Sequence, residues 1–268
     1  MSDDRAALTR DRLRDPQSIL ITGASSGLGA ALARHYAMPN RRLSLSGRDR
    51  DRLEAVAAAC RARGATVTPW VGDVTDRAAM RQWIEAADNA DPLDLVIVNA
   101  GVSAGTGDAG ETEDQARRIF AVNLDGALNT LHPAKDRMVA RGRGQIALIS
   151  SLAGFRGFPG APAYCASKAA VKAYGEALRI DLKPEGVALS VVCPGFVATP
   201  MTAVNRFPMP GLVQPDRAAA IIARGLRRNR ARIAFPWPNT FASWLAAALP
   251  CAFADMLLAR LPTKGSDA

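Results

Sequence analysis

The stretch Ser18-Ile-Leu-Ile-Thr22, which continues into Gly23-Ala-Ser-Ser-Gly-Leu-Gly29, decides the fold of this chain. A short apolar run, clustered glycines and an Ala- and Leu-rich segment ending near Tyr36 predict a strand, a tight turn and a helix. Glycines in such a turn let the backbone approach a pyrophosphate at the positive end of the helix. The spacing differs from G-x-G-x-x-G, but the position directly after a strand favours a dinucleotide site over a plain turn. We therefore predict cofactor contacts at Gly23, Ser25, Ser26, Gly27, Leu28 and Gly29.

The rest of the chain repeats this alternation of strand and helix. Regular alternation implies right-handed βαβ units, a parallel sheet and helices on both faces. We therefore predict an α/β protein with a Rossmann-type, doubly wound parallel sheet of about seven strands in a single domain. After the first strand, the apolar runs that predict strands occupy residues 42–46, 66–72, 93–98, 145–149, 187–193 and 232–235. The predicted boundaries are a flexible tail at 1–16, a dinucleotide-binding catalytic domain at 17–236 and a hydrophobic C-terminal helical extension at 237–268.

The end of the second predicted strand bears on the choice of cofactor. Gly47-Arg48 lies where an acidic residue would bind the ribose 2′-hydroxyl of NAD. A neutral and a basic residue at this place instead accommodate a 2′-phosphate, which favours NADP(H) over NAD(H). Asp49 and Asp51 argue against this preference, but both precede the next predicted helix and are equally well explained as N-terminal caps.

The third and fourth predicted strands also end in polar or small residues. Asp73-Val74 follows the third strand, and Asn99-Ala100-Gly101 follows the fourth. The carboxyl end of a strand in an open α/β sheet faces the ligand crevice, so Asp73 could accept a hydrogen bond from an adenine amino group. The alternative is that Asp73 only begins the turn before the next helix.

Tyr164 and Lys168 stand four residues apart in a predicted helix, so that the phenol and the ammonium share one face. A tyrosine has a pKa near 10, and a fixed cation beside it is predicted to lower that pKa toward neutrality. Ser151 follows a predicted buried strand, which would hold its hydroxyl at the same rim of the sheet. These three groups could polarise and protonate a carbonyl oxygen. Taken alone, the pair is better explained as an exposed pair on an ordinary helix.

Bulk composition excludes several classes of protein. The formal charge of +9 comes from scattered arginines without interleaved aromatic residues, so we do not predict nucleic-acid binding. The four cysteines have no metal spacing and predict buried free thiols in a reducing compartment. The first fifteen residues lack the apolar core of a secretory signal. We therefore predict a cytoplasmic protein without a metal site.

Several motifs together resemble those of the short-chain dehydrogenase/reductase family. They are Thr22-Gly23-x-x-x-Gly27-x-Gly29, Asn99-Ala100-Gly101, Asn123, Ser151, Tyr164-x-x-x-Lys168 and Pro194-Gly195. The resemblance implies an NAD(P)-dependent oxidoreductase in which Tyr164 is the general acid/base and Ser151 binds the substrate carbonyl. It further implies that Lys168 lowers the tyrosine pKa and holds the nicotinamide ribose, and that Asn123 orders a proton-relay water. Judged from the residue alone, Asn123 is a solvent-facing polar residue in a helix.

The resemblance also implies further cofactor contacts and an assembly. Asn99, Ala100 and Gly101 would support the adenosine side, and Asp73 and Val74 the adenine. After Pro194-Gly195, Val197 and Thr199 would reach the nicotinamide carboxamide. Family members often form dimers or tetramers through two long helices, here predicted at 112–140 and 161–183, which implies a homo-oligomer.

The segment at 199–214 corresponds to the substrate lid of the family. Its two prolines at 208 and 210 and its Gly211 predict a loop. Met201, Phe207, Met209 and Leu212 indicate a mostly apolar small-molecule substrate. Alternatively, these side chains only pack the lid against the body.

The C-terminal extension departs from a minimal family member. Residues 240–261 are rich in Ala, Leu, Phe and Trp but are short for a membrane span and interrupted by Pro250, which predicts an amphipathic pair of helices. The pair could pack over the body, pair with another subunit or lie in a membrane surface. Packing on the body or on a partner is the first preference, and peripheral membrane contact is second.

Two classes of function follow. The leading hypothesis is an NADP(H)-preferring carbonyl reductase or alcohol dehydrogenase. The alternative is a dinucleotide-binding sensor or interaction protein without turnover, since a fold does not fix a function.

Overall fold

The computed structural model describes residues 15–103, 110–205 and 207–258. The predicted N-terminal tail therefore lies almost wholly outside the described residues, as do Arg206 of the predicted lid and the last ten residues of the extension. No helix within the described ranges combines the length and the apolar content that crossing a membrane requires.

Seven parallel strands form one sheet, in the order β3-β2-β1-β4-β5-β6-β7. The predicted α/β fold class and the number of strands are confirmed, and the chain order reverses between β1 and β4. At such a switch point the carboxyl ends of the strands open a crevice for ligands. The strands are β1 Ser18–Ile21, β2 Arg42–Gly47, β3 Thr66–Val71, β4 Leu95–Val98, β5 Gly144–Ile149, β6 Val187–Pro194 and β7 Arg232–Phe235.

Helices cover both faces of the sheet. The core has two parts, one around Ile19 and Ile21 and the other around Leu20 and Val96, because successive side chains of a strand point to opposite faces. The helices are α1 Gly27–Tyr36, α2 Arg50–Arg61, α3 Arg77–Ala90, α4 Glu113–Phe120, α5 Gly126–Arg141, α6 Pro162–Leu182, α7 Pro200–Ala203, α8 Pro215–Arg227, α9 Trp237–Ala248 and α10 Cys251–Leu258.

Local sequence signals explain where several helices begin. The Asp49 carboxylate accepts from Arg52 N at the start of α2, and Thr112 with Gln115 forms a capping box at the start of α4. The predicted helix at 112–140 is present, but a π-helical turn at Ala121–Asp125 separates α4 from α5. Such turns occur often at functional sites.

The lid segment, residues 199–214, is not entirely a loop. It contains the short helix α7, and Val197 pairs with Val213 in an isolated parallel bridge. Pro200 occupies the first turn of α7, where a missing N–H costs nothing, and Thr199 and Thr202 cap it. The predicted loop therefore contains a capped helical turn that the sequence analysis did not predict.

Candidate active site

The carboxyl ends of strands β1 to β6 open into one cavity of about 700 Å³. Every residue predicted to contact the cofactor lines it. Ser151, Tyr164 and Lys168 of the predicted catalytic set line it too. The nucleotide side and the chemical side of the predicted site are therefore walls of one cleft.

The glycine turn forms a backbone cradle at the start of α1. Gly23 has a φ of +67°, and a Cβ on it would lie 2.8 Å from Ala100 Cα. A Cβ on Gly29 would lie 2.2 Å from Gly23 O. The N-cap Ser26 makes no side-chain cap, and the first turn of α1 has no acidic residue. The free N–H groups at this helix end, with the cradle before them, fit a pyrophosphate.

Asn99 and Thr22 hold the cradle in place. Thr22 Oγ1 accepts from the N–H groups of Asn99 at 3.0 Å and Ala100 at 3.2 Å. Asn99 Nδ2 donates to Thr22 O at 2.9 Å and to Gly23 O at 3.2 Å. The Asn99 side chain thus supports the turn that would carry the dinucleotide, and its amide protons are directed to the protein.

Arg48 at the end of β2 is exposed and lines the cavity. The Asp49 carboxylate accepts hydrogen bonds from Arg52 N, as a helix cap does, and from Arg52 Nε at 2.7 Å. These contacts support its interpretation as an N-terminal cap. Among the described residues no carboxylate forms an ion pair with Arg48. Its guanidinium is therefore available to an anionic group in the cleft.

Asp73 closes the turn before α3, which is the simpler of the two interpretations of this residue. Its Oδ1 accepts from Thr75 N and from Thr75 Oγ1, both at 2.9 Å, which closes the turn before α3. The residue also lines the cavity. Asp73 therefore closes the turn from a position where it could also contact a ligand in the cavity.

Lys168 is a buried cation in the cavity wall. Its Nζ donates to Ile149 O at 2.9 Å and lies 5.8 Å from the centroid of the Tyr164 ring. Burial lowers the pKa of this amine from 10.5 to about 8. The lysine is held by the end of β5, and it is not in hydrogen-bond contact with the phenol.

The prediction that Lys168 lowers the pKa of Tyr164 is wrong for this structure. Burial of the phenol raises its pKa, and a hydrogen bond with the Ser151 hydroxyl opposes this only in part. The physical reason is that desolvation disfavours phenolate, while the distance to Nζ leaves too little attraction to reverse it. In this state Tyr164 is a proton donor at neutral pH.

Ser151 lies two residues after the end of β5 and is the N-cap of the short 3-10 turn Leu152–Gly154. Its Oγ accepts from Ala153 N at 3.1 Å and donates weakly to Pro194 O at 3.4 Å. A weak donor bond is easily exchanged for a stronger one to a ligand oxygen. Ser151 and Tyr164 therefore present two hydroxyl groups to the same part of the cleft.

Asn123 lies in the π-helical turn and does not line the cavity. It is 1% exposed, so its interpretation as a solvent-facing residue is wrong. Its Oδ1 accepts from Val102 N at 2.8 Å, and its Nδ2 donates to Val102 O at 2.9 Å and to Ser167 Oγ at 3.1 Å. The side chain therefore joins the end of β4 to α6, the helix of Tyr164 and Lys168.

Sequence reasoning missed part of the cavity wall. The general rule that carboxyl ends of strands face the ligand could have found those at β2, β3 and β5, but nothing local marks the others. The cavity-wall residues that the sequence analysis did not place at the site are Ser46, Arg52, Gly72, Val102, Val122, Ile149, Ser150, Pro200 and Thr202.

The buried lysine predicts a dependence of stability on pH. Between pH 8 and 10.5 the unfolded chain keeps a proton that folded Lys168 has released, so the parent gains stability as pH rises. The free energy of unfolding of the parent should rise by about 3 kcal/mol relative to Lys168→Met across this window. Urea unfolding of both proteins at a series of pH values measures it. Lys172→Met, in the same helix, is the control. If the difference in free energy of unfolding between the parent and Lys168→Met stayed constant with pH, the lowered pKa of Lys168 would be contradicted.

A Rossmann-type sheet whose first turn forms a phosphate cradle defines a nucleotide-binding α/β protein. The family model for short chain dehydrogenase matches residues 17–208. The chain belongs to the short-chain dehydrogenase/reductase family of oxidoreductases.

Relatives and solved structures agree with this assignment. An uncharacterized oxidoreductase of Myxococcus xanthus is 40% identical over 246 residues, which cover 91% of this chain and 97% of the relative. A family structure from Burkholderia phymatum in complex with NAD has a TM-score of 0.79 at 26% identity, covering 95% of this chain and 99% of that one. A short-chain dehydrogenase from Sphingobium yanoikuyae in complex with NADPH has a TM-score of 0.76 at 27% identity, with 91% and 96% covered.

Proposed function

We propose that this protein interconverts a carbonyl and an alcohol by hydride transfer with a nicotinamide dinucleotide, and that it prefers NADP(H). The observation that carries the proposal is one cleft lined by the glycine cradle at one end and by Ser151, Tyr164 and Lys168 at the other. The proposed catalytic set is these three residues with Asn123, and the proposed cofactor contacts are those predicted from the sequence.

When bound, the nicotinamide supplies or accepts the hydride. Negative charge that develops on the carbonyl oxygen is stabilised by the Ser151 hydroxyl and quenched by the proton of Tyr164. The raised pKa of Tyr164 keeps that proton in place until it is needed. In the direction of alcohol oxidation, the same phenol must first lose its proton.

Lys168 and Asn123 would support this proton transfer. The buried Lys168 amine keeps its charge below a pKa of about 8, but at its distance from the Tyr164 ring it is only weakly coupled to the phenol. A ligand hydroxyl between Nζ and the phenol would strengthen this coupling. Asn123 fixes the end of β4 against α6, which supports a role in positioning the lysine and any relay water beside it.

The preference for NADP(H) is proposed from Arg48. Its guanidinium lines the cleft without a competing ion pair among the described residues, while the nearby Asp49 carboxylate already caps α2. A 2′-phosphate offers two charges and several acceptors to a guanidinium, whereas a 2′-hydroxyl offers none of that charge.

Arg48→Asp should lower the preference for NADPH over NADH by about 10- to 100-fold. The physical reason is the loss of a hydrogen bond to a charged group, worth about 1.5–3 kcal/mol. The ratio of kcat/KM for the two cofactors measures the effect. Arg50→Asp, which changes the charge of a neighbouring exposed arginine outside the cavity, is the control. A ratio unchanged in Arg48→Asp would show that the end of β2 does not choose the cofactor.

An apolar small-molecule substrate is proposed from the wall near the lid. Met201 lines the cavity together with Val102 and Val122. The lid's Phe207 instead packs edge-on against Phe196, with ring centroids 6.0 Å apart, which supports the packing alternative for that residue. The apolar character of the site thus rests on Met201 and the two valines.

We further propose a cytoplasmic homo-oligomer. Phe120 on α4 and both Tyr174 and Ile180 on α6 are exposed, which supports pairing through these two helices as in other family members. Cys60, Cys165 and Cys193 are free and buried, which fits a reducing compartment.

The alternative, a sensor that binds the dinucleotide without turnover, has no use for a phenol and a serine hydroxyl at the nicotinamide end. A panel of ketones and aldehydes with NADPH and with NADH, followed by absorbance of the reduced nicotinamide, separates the two. Tight cofactor binding without turnover of any carbonyl would favour the sensor.

A further inference from the structure

The C-terminal helices expose six large apolar side chains, which we call the C-terminal apolar face. On α9 they recur at positions that share one side of a helix, and Trp237 and Phe241 stack with ring centroids 5.9 Å apart. The face consists of Trp237, Phe241, Trp244, Leu245, Phe253 and Met256, which are 75%, 50%, 54%, 45%, 61% and 58% exposed.

The rest of α9 is fastened to the body of the protein. Ser243 is buried, Arg156 Nη1 donates to Ala246 O and to Leu249 O, both at 3.2 Å, and Asn239 Nδ2 donates to Pro210 O at 2.8 Å. The helix pair predicted from the sequence is therefore present and packs on the body through polar and small residues. Its aromatic side chains point outward, which is the reverse of an amphipathic helix that covers a core.

The two C-terminal helices expose a large apolar area. At about 150–250 Å² for a large aromatic side chain, the exposed fractions of the six residues of the face add up to about 700 Å². The largest apolar patch of a typical monomer is about 300–600 Å² and is often functional.

Charge distinguishes a second copy of the chain from a lipid surface. At a formal charge of +9, the chain is attracted to an anionic bilayer over a long range, whereas a second copy with the same charge offers no such attraction at this face. Between residues 237 and 258 the sequence has one charged residue, Asp255, and Arg156 places a positive charge at the C-terminal end of α9. Short helices with Trp and Phe on one face and basic residues nearby bind in the plane of a membrane surface.

We propose that the C-terminal apolar face binds the surface of an anionic lipid bilayer. The helix that carries the face is hydrogen-bonded to the lid segment through Asn239, so the bound bilayer lies next to the segment whose first residues, Thr199 to Thr202, line the cleft. This proposal goes beyond the proposed reaction and does not depend on it, because binding to vesicles is measured without turnover.

The tryptophans provide a direct test with the full chain. The protein has four: Trp70 and Trp83 stack on each other in the body, whereas Trp237 and Trp244 belong to the face. Added vesicles of phosphatidylcholine with phosphatidylglycerol should shift the tryptophan emission to shorter wavelength. They should also sediment the protein, and both effects should weaken at high salt. No shift and no sedimentation would overturn the proposal.

Matched variants locate the binding surface. Phe241→Ser/Trp244→Ser should lower partitioning onto these vesicles by at least about tenfold, because burial of two aromatic side chains is lost. Met38→Ser, which removes a 49% exposed apolar side chain after α1, should bind like the parent. Equal binding by the double variant would overturn the proposal. So would a dimer in light scattering that the double variant alone abolishes, since a second copy would then occupy the face.

Discussion

The Tyr164→Phe variant is expected to reduce a carbonyl substrate with a kcat about 10²–10⁴-fold lower than that of the parent, with little change in the Kd for NADPH. The variant keeps the ring that lines the cleft but lacks the proton that quenches the developing alkoxide. The measurement is kcat from initial rates, with the Kd from quenching of protein fluorescence. A fall in kcat without loss of binding assigns the phenol to the chemical step.

Tyr174→Phe provides the matched control for this change. Tyr174 lies on the same helix, is 38% exposed and contacts His132 Nε2 at 3.2 Å, away from the cavity. Its variant should retain the parent rate. If both variants kept that rate, Tyr164 would not be the acid.

Gly29→Ala should raise the Kd for NADPH by about 10- to 100-fold. The added Cβ would lie 2.2 Å from Gly23 O and 2.6 Å from Asn99 Nδ2, so the cradle must open to admit it. Forcing a methyl group into a packed site costs about 1–3 kcal/mol, and each 1.4 kcal/mol is tenfold in affinity. Titration calorimetry with NADPH measures the change.

Gly157→Ala separates this effect from a general cost of replacing glycine. A Cβ on Gly157 would meet nothing within 4 Å, so this variant should bind NADPH like the parent. Unchanged affinity in Gly29→Ala would mean that the pyrophosphate does not sit in the glycine cradle.

The fold was predictable because its signals are local. Each strand is an apolar run bounded by turn residues, as in Ser18–Ile21, and the caps Asp49 and Thr112 act on backbone groups within three residues. The handedness of βαβ units then restricts the sheet to parallel strands with helices on both faces, whereas the order of the strands was not predicted. These signals can be recognised in a single sequence because they do not depend on contacts between residues far apart in the chain.

The electrostatics of the site were not predictable in the same way. The distance between Lys168 and Tyr164 depends on Ile149 O, which captures the ammonium from another element. Asn123 is buried because the π-helical turn directs it toward Val102 and Ser167. Helix spacing alone predicts which residues share a face, but it does not predict which groups of other elements form hydrogen bonds with their side chains.

The C-terminal extension shows a similar limit. Its helices were predictable from composition, yet the direction of their aromatic side chains was not. Arg156 donates a hydrogen bond to the backbone of α9, and Asn239 on α9 donates one to Pro210 O of the lid segment. These bonds hold the polar side of α9 against the body, so that Trp244 is exposed. Such contacts join residues far apart in the chain.

The most direct test of the central claim follows the hydride itself. Parent protein is mixed with NADPH carrying deuterium at the transferable position and with the panel of carbonyls, and the products are analysed by mass spectrometry. The account predicts an alcohol with deuterium on the former carbonyl carbon, formed by the parent and at least about 10²-fold more slowly by Tyr164→Phe. Tight NADPH binding without deuterium in any product, or equal rates for the two proteins, would contradict it.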